Sequence, residues 1–209
     1  MSQETYAEQA YQQIMNRLLK HEVAPGEPID RRELANQLNV SLLPISDAIQ
    51  RLTYEGFLTT RRRQGTFVTV PNRNDIQDQL LLREALECQA SRIYFGTSIQ
   101  SAKRQLVKLA KAADKAAMEG RQISSEDYAF HTVLIKLTQN KAIIHCFQRV
   151  SNLTLFQHIS LISPVKSTAY DGHRELLEDL LAATTADQAE ARIRKHMHIG
   201  KSQILGDPQ

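Results

Sequence analysis

Thiols are scarce in this chain. Cys88 and Cys146 are its only cysteines, and they show no CxxC spacing. That excludes a disulfide framework and suits a reducing compartment. Long apolar runs are missing too, so no stretch qualifies as a membrane span. The opening residues Ser2-Gln3-Glu4 are polar and acidic, without the apolar core of a secretory signal. These absences lead us to expect a cytoplasmic protein with no membrane partner. Net charge is only +3, which rules out a polybasic tail-binder, so any nucleic-acid footprint must be local. There is no HExxH motif, no low-complexity tract and no internal repeat.

What is present concentrates between Asp30 and Val70. Asp30 suits a helix N-cap, and Glu33 completes a capping box. Leu34, Ala35 and Leu38 give that helix one apolar face. Asn39-Val40-Ser41 interrupts the pattern. Ser41 can cap a second helix, and Pro44 falls in its first turn, where a missing N–H costs little. Ile45, Ala48, Ile49 and Leu52 form the next buried stripe, and Gly56 is placed to end it. Phe57-Leu58-Thr59-Thr60 and Thr66-Phe67-Val68-Thr69-Val70 are rich in β-branched and aromatic residues and predict two strands. Gln64-Gly65 supplies the turn between them.

The pattern predicts a winged helix-turn-helix, which makes DNA the leading partner. In that arrangement the second helix enters the major groove with its N-terminal residues at the base edges. Those residues are Ser41, Leu42, Leu43, Ile45 and Ser46. Arg31, Arg32 and Arg51, with Arg61, Arg62, Arg63 and Gly65 of the wing, are candidates for the phosphate backbone. Backbone contacts position the protein, while base-edge contacts specify sequence. A small α/β domain with a solvated basic loop is the plainer alternative, but it leaves the agreement of caps, spacing, hairpin and charge unexplained.

Residues 4–21 read as a leading helix, and Val23 to Pro28 as a turn-rich connection. Pro71-Asn72-Arg73-Asn74 marks the boundary between a DNA-binding domain, 1–73, and an all-helical effector-binding and dimerisation domain, 74–209. Helices are expected at 75–95, 99–119, 126–139, 141–160, 169–182 and 186–205. The breaks are Gly96-Thr97-Ser98, Gly120, Gln139-Asn140, Ser163-Pro164 and Thr184-Thr185, and Thr185 with Gln188 forms a capping box. The fold class is mainly α: an N-terminal winged helix-turn-helix followed by a C-terminal helical bundle.

The run from Leu18 through Pro25-Gly26-Glu27, Leu34 to Ile45, Ala48 to Leu52, Glu55 to Leu58 and Arg63 to Val68 resembles the winged helix of the GntR superfamily of bacterial transcription regulators. The second half is similar to the FadR-type C-terminal domain, the FCD branch. Arg83 and Glu87 sit in its opening helix. Asp127-Tyr128-Ala129-Phe130-His131 matches an Asp-x-x-Phe-His signature, and Asp171-Gly172-His173-Arg174 and Lys195-His196-Met197 match the two later histidine positions. Six bundle helices point to the shorter, VanR-like subgroup. The family carries a Ser-Arg-Thr-Pro-Val-Arg-Glu-Ala run entering the recognition helix. Here Leu42 and Ser46 stand at its two arginine positions. Leucine and serine cannot read guanine bidentately as arginine does, so an atypical operator is expected.

Asp127 and His131 lie four residues apart, on one face of a helix, and His173 and His196 fall on two later helices. Bundles build metal sites from facing helices. One carboxylate and three imidazoles suit zinc or nickel, with iron and manganese as alternatives. Spacing alone also allows ordinary satisfied histidines, as expected for His21, His145, His158 and His198. The resemblance implies this same quartet as metal ligands, in a cavity that binds an organic acid. In the family an arginine at the position of Arg83 faces the effector; the alternative is an Arg83–Glu87 helix pair. Cys88 and Cys146 are read as packing residues.

The reading is a homodimeric transcription regulator, acting as a repressor, whose helical domain binds a metal ion and a small carboxylate that changes operator affinity. It is not an enzyme. Alternatives are a metal-dependent hydrolase or lyase tethered to DNA, and a pure metal-ion sensor. A pyridoxal-phosphate domain does not fit in so short a chain.

Overall fold

The computed structural model describes residues 5–121, 124–161 and 171–205, and the side chains of all of these except 73, 158–161 and 200–205. The Ser163-Pro164 break, the expected helix start at 169 and the His158 ring lie outside the described residues. The chain divides into two compact units, one ending at Asn72 and one starting at Arg73, with 159–161 grouped with the first.

The first unit contains α1 (Tyr6–Leu19), α2 (Arg31–Leu38), α3 (Leu42–Tyr54), β1 (Leu58–Arg61) and β2 (Gly65–Val68). Thr5 caps α1 by accepting from the Glu8 N–H. Asp30 caps α2, accepting from the N–H groups of Arg32 at 2.7 Å and Glu33 at 3.0 Å. Asn39 ends α2 in the left-handed conformation (φ 51°), which asparagine tolerates. Ser41 holds the N-cap position of α3, but its side chain makes no capping bond. Gly56 follows α3 with φ 94°, a value that a side chain would oppose.

Ala10, Tyr11, Ile14 and Leu18 of α1 are buried, as are Ile45, Ala48, Ile49 and Leu52 of α3, and the two helices pack together. The strands pair antiparallel, Leu58 opposite Val68 and Arg61 opposite Gly65. Gln64-Gly65 was expected as the turn. Instead Gly65 belongs to β2, and the turn is carried by Arg62, Arg63 and Gln64, with Arg63 itself left-handed (φ 63°). The segment expected as a plain connection also joins the sheet: the Ile29 N–H donates to the Thr66 carbonyl at 2.8 Å, and Val68 N–H to the Glu27 carbonyl at 2.9 Å.

A polar network ties α1 to α3. The Tyr11 hydroxyl donates to Glu55 at 2.5 Å, Arg51 pairs with Glu55 at 3.0 Å and Glu8 at 2.7 Å, and its guanidinium lies 3.6 Å from the Tyr11 ring centroid. Burial and the Glu55 carboxylate push the Tyr11 phenol above its ordinary pKa, keeping it a donor. Glu55→Ala removes the acceptor from a buried hydroxyl, while half-exposed Arg51 can turn to water. We expect a loss of about 2 kcal/mol, read as a lower denaturant midpoint; an unchanged midpoint would mean that the network contributes nothing.

The second unit is helical: α4 (Arg73–Tyr94), α5 (Thr97–Ser101), α6 (Lys103–Met118), α7 (Ser125–Lys136), α8 (Lys141–Leu161), α9 (His173–Ala182) and α10 (Ala186–Leu205). α10 lies along α4, and α6 packs on α7 and α9. Its core includes Tyr94, Ile99, Leu106, Phe130, Phe147, Leu176, Leu180 and Ile193. The single helix expected over 99–119 is split at Ala102. Ser101 turns its hydroxyl back onto the Ser98 carbonyl at 2.7 Å, a local bond that competes with helix continuation. With α5 counted there are seven helices among the described residues, so the six-helix count no longer points to the VanR-like subgroup. Thr185 does accept from the Gln188 N–H, but Gln188 answers at Thr184 rather than Thr185. Cys88 packs in the core, and burial pushes its thiol up to about 11. Cys146, expected to pack, is instead exposed on α8. No helix among the described residues is long and apolar enough to cross a membrane.

Candidate metal centre and nucleic-acid interface

The Ser124 hydroxyl accepts from the Asp127 N–H and starts α7. The four-residue spacing then puts Asp127 and His131 on one inward face. α9 brings His173 as its first residue, and α10 brings His196. All four side chains are buried, and their candidate ligand atoms lie within 4.8 Å of one another. The three imidazole centroids are 5.0–5.5 Å apart.

Each histidine engages a further carboxylate through Nδ1. His131 meets Glu87 of α4. His173 meets Asp114 of α6 at 3.3 Å, and His196 meets Asp171 at 3.0 Å. A carboxylate behind Nδ1 assigns the proton there and commits Nε2 as the atom offered to a metal. His131 Nε2 is buried without a hydrogen-bond partner and lies 3.6 Å from Asp127 Oδ1. His173 Nε2 lies 3.1 Å from the same oxygen. Burial pulls the His131 pKa down, favouring a neutral ligand. Burial also opposes charge on His173, but hydrogen bonds to Asp114 and Asp127 outweigh it and hold that ring above its ordinary value.

The carboxylates are themselves fixed. Asp114 accepts from the His173 N–H at 2.7 Å and from Arg174 Nε at 3.0 Å, so it caps α9 from a neighbouring helix. Arg192 grips Asp171 with two bonds, 2.6 and 2.9 Å. Against the upward push of burial, His196 and Arg192 hold Asp171 well below the usual carboxylate range. Around the quartet, buried Glu87, Asp114, Asp127 and Asp171 outnumber buried Arg83 and Arg192. A divalent cation would balance that surplus, and the donor set is one that transition metals accept. The residues fit a metal.

Arg83 is 0% exposed. Its Nε donates to Glu87 at 2.7 Å and its Nη1 to Asp127 at 3.0 Å. The helix pair expected as the plainer role is therefore made, and the same guanidinium also reaches the quartet. Its Nη2 is buried without a hydrogen-bond partner. Glu87 thus joins Arg83 to His131.

In the first unit, Leu42 and Leu43 are 48% and 70% exposed at the start of α3. Ser41 is exposed beside them and Ser46 half-buried. Arg31, Arg32, Arg61, Arg62, Arg63 and Gly65 line one open groove of about 690 Å³, which brings the wing and the start of α2 together. Arg31 reaches the Thr66 hydroxyl at 3.4 Å. Arg51 stands apart, because Glu8, Glu55 and Tyr11 occupy it.

Residues 6–68 match the model for bacterial regulatory proteins of the gntR family, and residues 78–198 match the FCD domain. The chain belongs to this family. It is a GntR-type transcription regulator with an FCD domain, and not an enzyme. Among relatives, it is 32% identical over 187 residues to the Nta operon transcriptional regulator of Aminobacter aminovorans, covering 87% of this chain and 86% of that one. It is 24% identical over 202 residues to a probable D-xylose utilization operon transcriptional repressor of Paenarthrobacter nicotinovorans, covering 94% and 88%. A GntR regulator from Rhodococcus sp. RHA1 shares the fold, with a TM-score of 0.72 at 20% identity, covering 97% and 99%.

In this regulator, sequence reasoning passed over Asp114 and Arg192. Asp114 had a readable signal: Leu106, Ala110 and Asp114 recur at four-residue spacing, which puts an acid on the apolar face of α6. Arg192 had a weaker one, falling one turn before His196. Of the remaining histidines, His145 is exposed and His198 pairs with Glu84 at 3.2 Å.

Proposed function

We propose that this regulator works in the cytoplasm as a homodimer on double-stranded operator DNA. Asp127, His131, His173 and His196 hold a divalent transition metal, zinc or nickel before iron or manganese, and Arg83 receives a small carboxylate effector beside it. The observation that carries this reading is the buried quartet whose three histidines each engage a separate carboxylate through Nδ1. The metal, when bound, supplies Lewis-acidic positions for an anion, and a buried guanidinium supplies a fork for the same group.

On the DNA side, Ser41, Leu42, Leu43 and Ser46 face bases, and Arg31, Arg32, Arg61, Arg62 and Arg63 meet phosphates, with Gly65 allowing close approach of the wing. Arg51 is left out of this set. The working division is 1–73 for DNA and 74–209 for effector and dimerisation. Effector binding biases the placement of the two winged helices, and operator DNA must alter effector affinity by the same factor. A relative named as a repressor supports repression as the basal action.

Sheared genomic DNA from the source organism, incubated with metal-loaded protein at near-physiological salt, is expected to yield a few enriched sites with two-fold symmetry. Absence of enrichment with both metal-loaded and metal-stripped protein would count against the reading. If zinc or nickel alone shifts affinity for the enriched site and no organic acid adds to it, the ion itself is the signal.

A further inference from the structure

Several polar atoms of the helical unit are buried without a hydrogen-bond partner, and three of them belong to one neighbourhood. They are Arg83 Nη2, the Tyr128 hydroxyl and the Ser151 hydroxyl. The Arg83 guanidinium lies 4.7 Å from the centroid of the Tyr128 ring and 5.8 Å from that of Phe147. Ser151 follows Phe147 by one turn of α8, on the same face. Thr154, one turn further, lies beside the Tyr128 phenol, as does Arg83. Residues 83, 128 and 151 are 0%, 7% and 4% exposed. Thr154 is not an orphan, since it donates to the Val150 carbonyl at 2.8 Å.

Orphaned polar groups at this depth are costly unless something meets them. The chemistry of the three differs. Arg83 Nη2 is a cationic donor and calls for a carboxylate oxygen. The Tyr128 and Ser151 hydroxyls are neutral and can both donate and accept, which a carbon-bound hydroxyl of a ligand satisfies and a methylene does not. Burial keeps the Tyr128 phenol protonated, so it stays a neutral partner.

We propose that the effector is a hydroxylated carboxylate, a hydroxy acid or sugar acid, with its carboxylate on Arg83 and a hydroxyl on Tyr128 and Ser151. This rests on the effector reading above and adds the class of acid. Ser151 and Tyr128 are the specificity residues, because they reject the deoxy analogue. A site built to hydrogen-bond a ligand hydroxyl discriminates far more strongly than an apolar one that merely tolerates it.

The test is calorimetric titration of full-length, metal-loaded protein with matched acids that differ only in hydroxylation: malate against succinate, lactate against propionate, gluconate against hexanoate. In at least one pair the hydroxylated acid should bind about tenfold tighter or more. In Ser151→Ala and Tyr128→Phe its affinity should fall toward that of the deoxy partner, with circular dichroism and bound metal as checks that each variant is folded. Both acids of every pair binding equally would overturn the proposal while leaving the effector reading in place. A preference that survives both substitutions would overturn the assigned residues. Should no acid of either kind bind, the effector reading fails and this inference falls with it.

Discussion

His131→Ala and His173→Ala are each expected to lower metal affinity by more than about a hundredfold. The retained metal, measured after dialysis against a chelator of known affinity, should fall to background. Each removes one of four donors from a set whose candidate atoms lie within 4.8 Å of one another, and no other histidine is within reach. His145 is exposed on α8, and His198 is engaged by Glu84. Glu87→Gln, Asp114→Asn and Asp171→Asn keep the donors but weaken the hold on each Nδ1, and should each cost about 10–100-fold. This graded series separates a metal centre from a hydrogen-bonded cluster. A cluster without metal would lose stability in all five variants and show no metal in any. Full metal content in both alanine variants would rule the site out.

Stripping the metal should also soften the helical unit. An ion bound only by the folded state stabilises it by about 4 kcal/mol at a thousandfold excess over its Kd. The unit holds four carboxylates around three imidazoles, so the stripped state keeps the surplus negative charge. The expected result is a lower Tm that returns on adding zinc or nickel.

The winged helix was legible because its instructions are local. A cap at Asp30, apolar spacing through Leu34 to Leu52, glycine at 56 and a β-branched hairpin each act within one or two turns of chain. Failures there were small and local too: Arg63 rather than Gly65 took the strained turn position, and Ser101 broke a helix that periodicity alone would continue. The quartet was legible from the pair Asp127 and His131 and from the resemblance that singled out His173 and His196. Its supports were harder to see. Asp114 meets a histidine 59 residues away, and Arg192 meets an aspartate 21 residues away, and no short-range pattern encodes either pairing. Arg51 shows the converse. It looked like a phosphate contact by charge and position, but Glu8, in a different helix, and Tyr11 decided otherwise.

Leu42→Arg should change which sequence the regulator selects, while Arg61→Ala, Arg62→Ala and Arg63→Ala combined should weaken all sequences alike. The difference follows from what each group meets. Leu42 is about half exposed on the first turn of α3, where a helix in the major groove presents its side chains to base edges. A leucine there gains only from apolar contact, as with a thymine methyl. An arginine pairs with guanine O6 and N7 and discriminates by about 1–3 kcal/mol at each base pair, roughly 5- to 150-fold per half-site, and a symmetric dimer applies it twice. The wing arginines instead surround an open groove with Arg31 and Arg32, and a charge on a phosphate carries no sequence information. Their loss should reduce the dependence of log affinity on log salt by about one for each phosphate contact removed. Selection from a random DNA pool with wild type and L42R reads the first effect, and affinity across a salt series reads the second. An unchanged consensus in L42R would mean that Leu42 does not face bases, and the serines at 41 and 46 would then have to carry the readout.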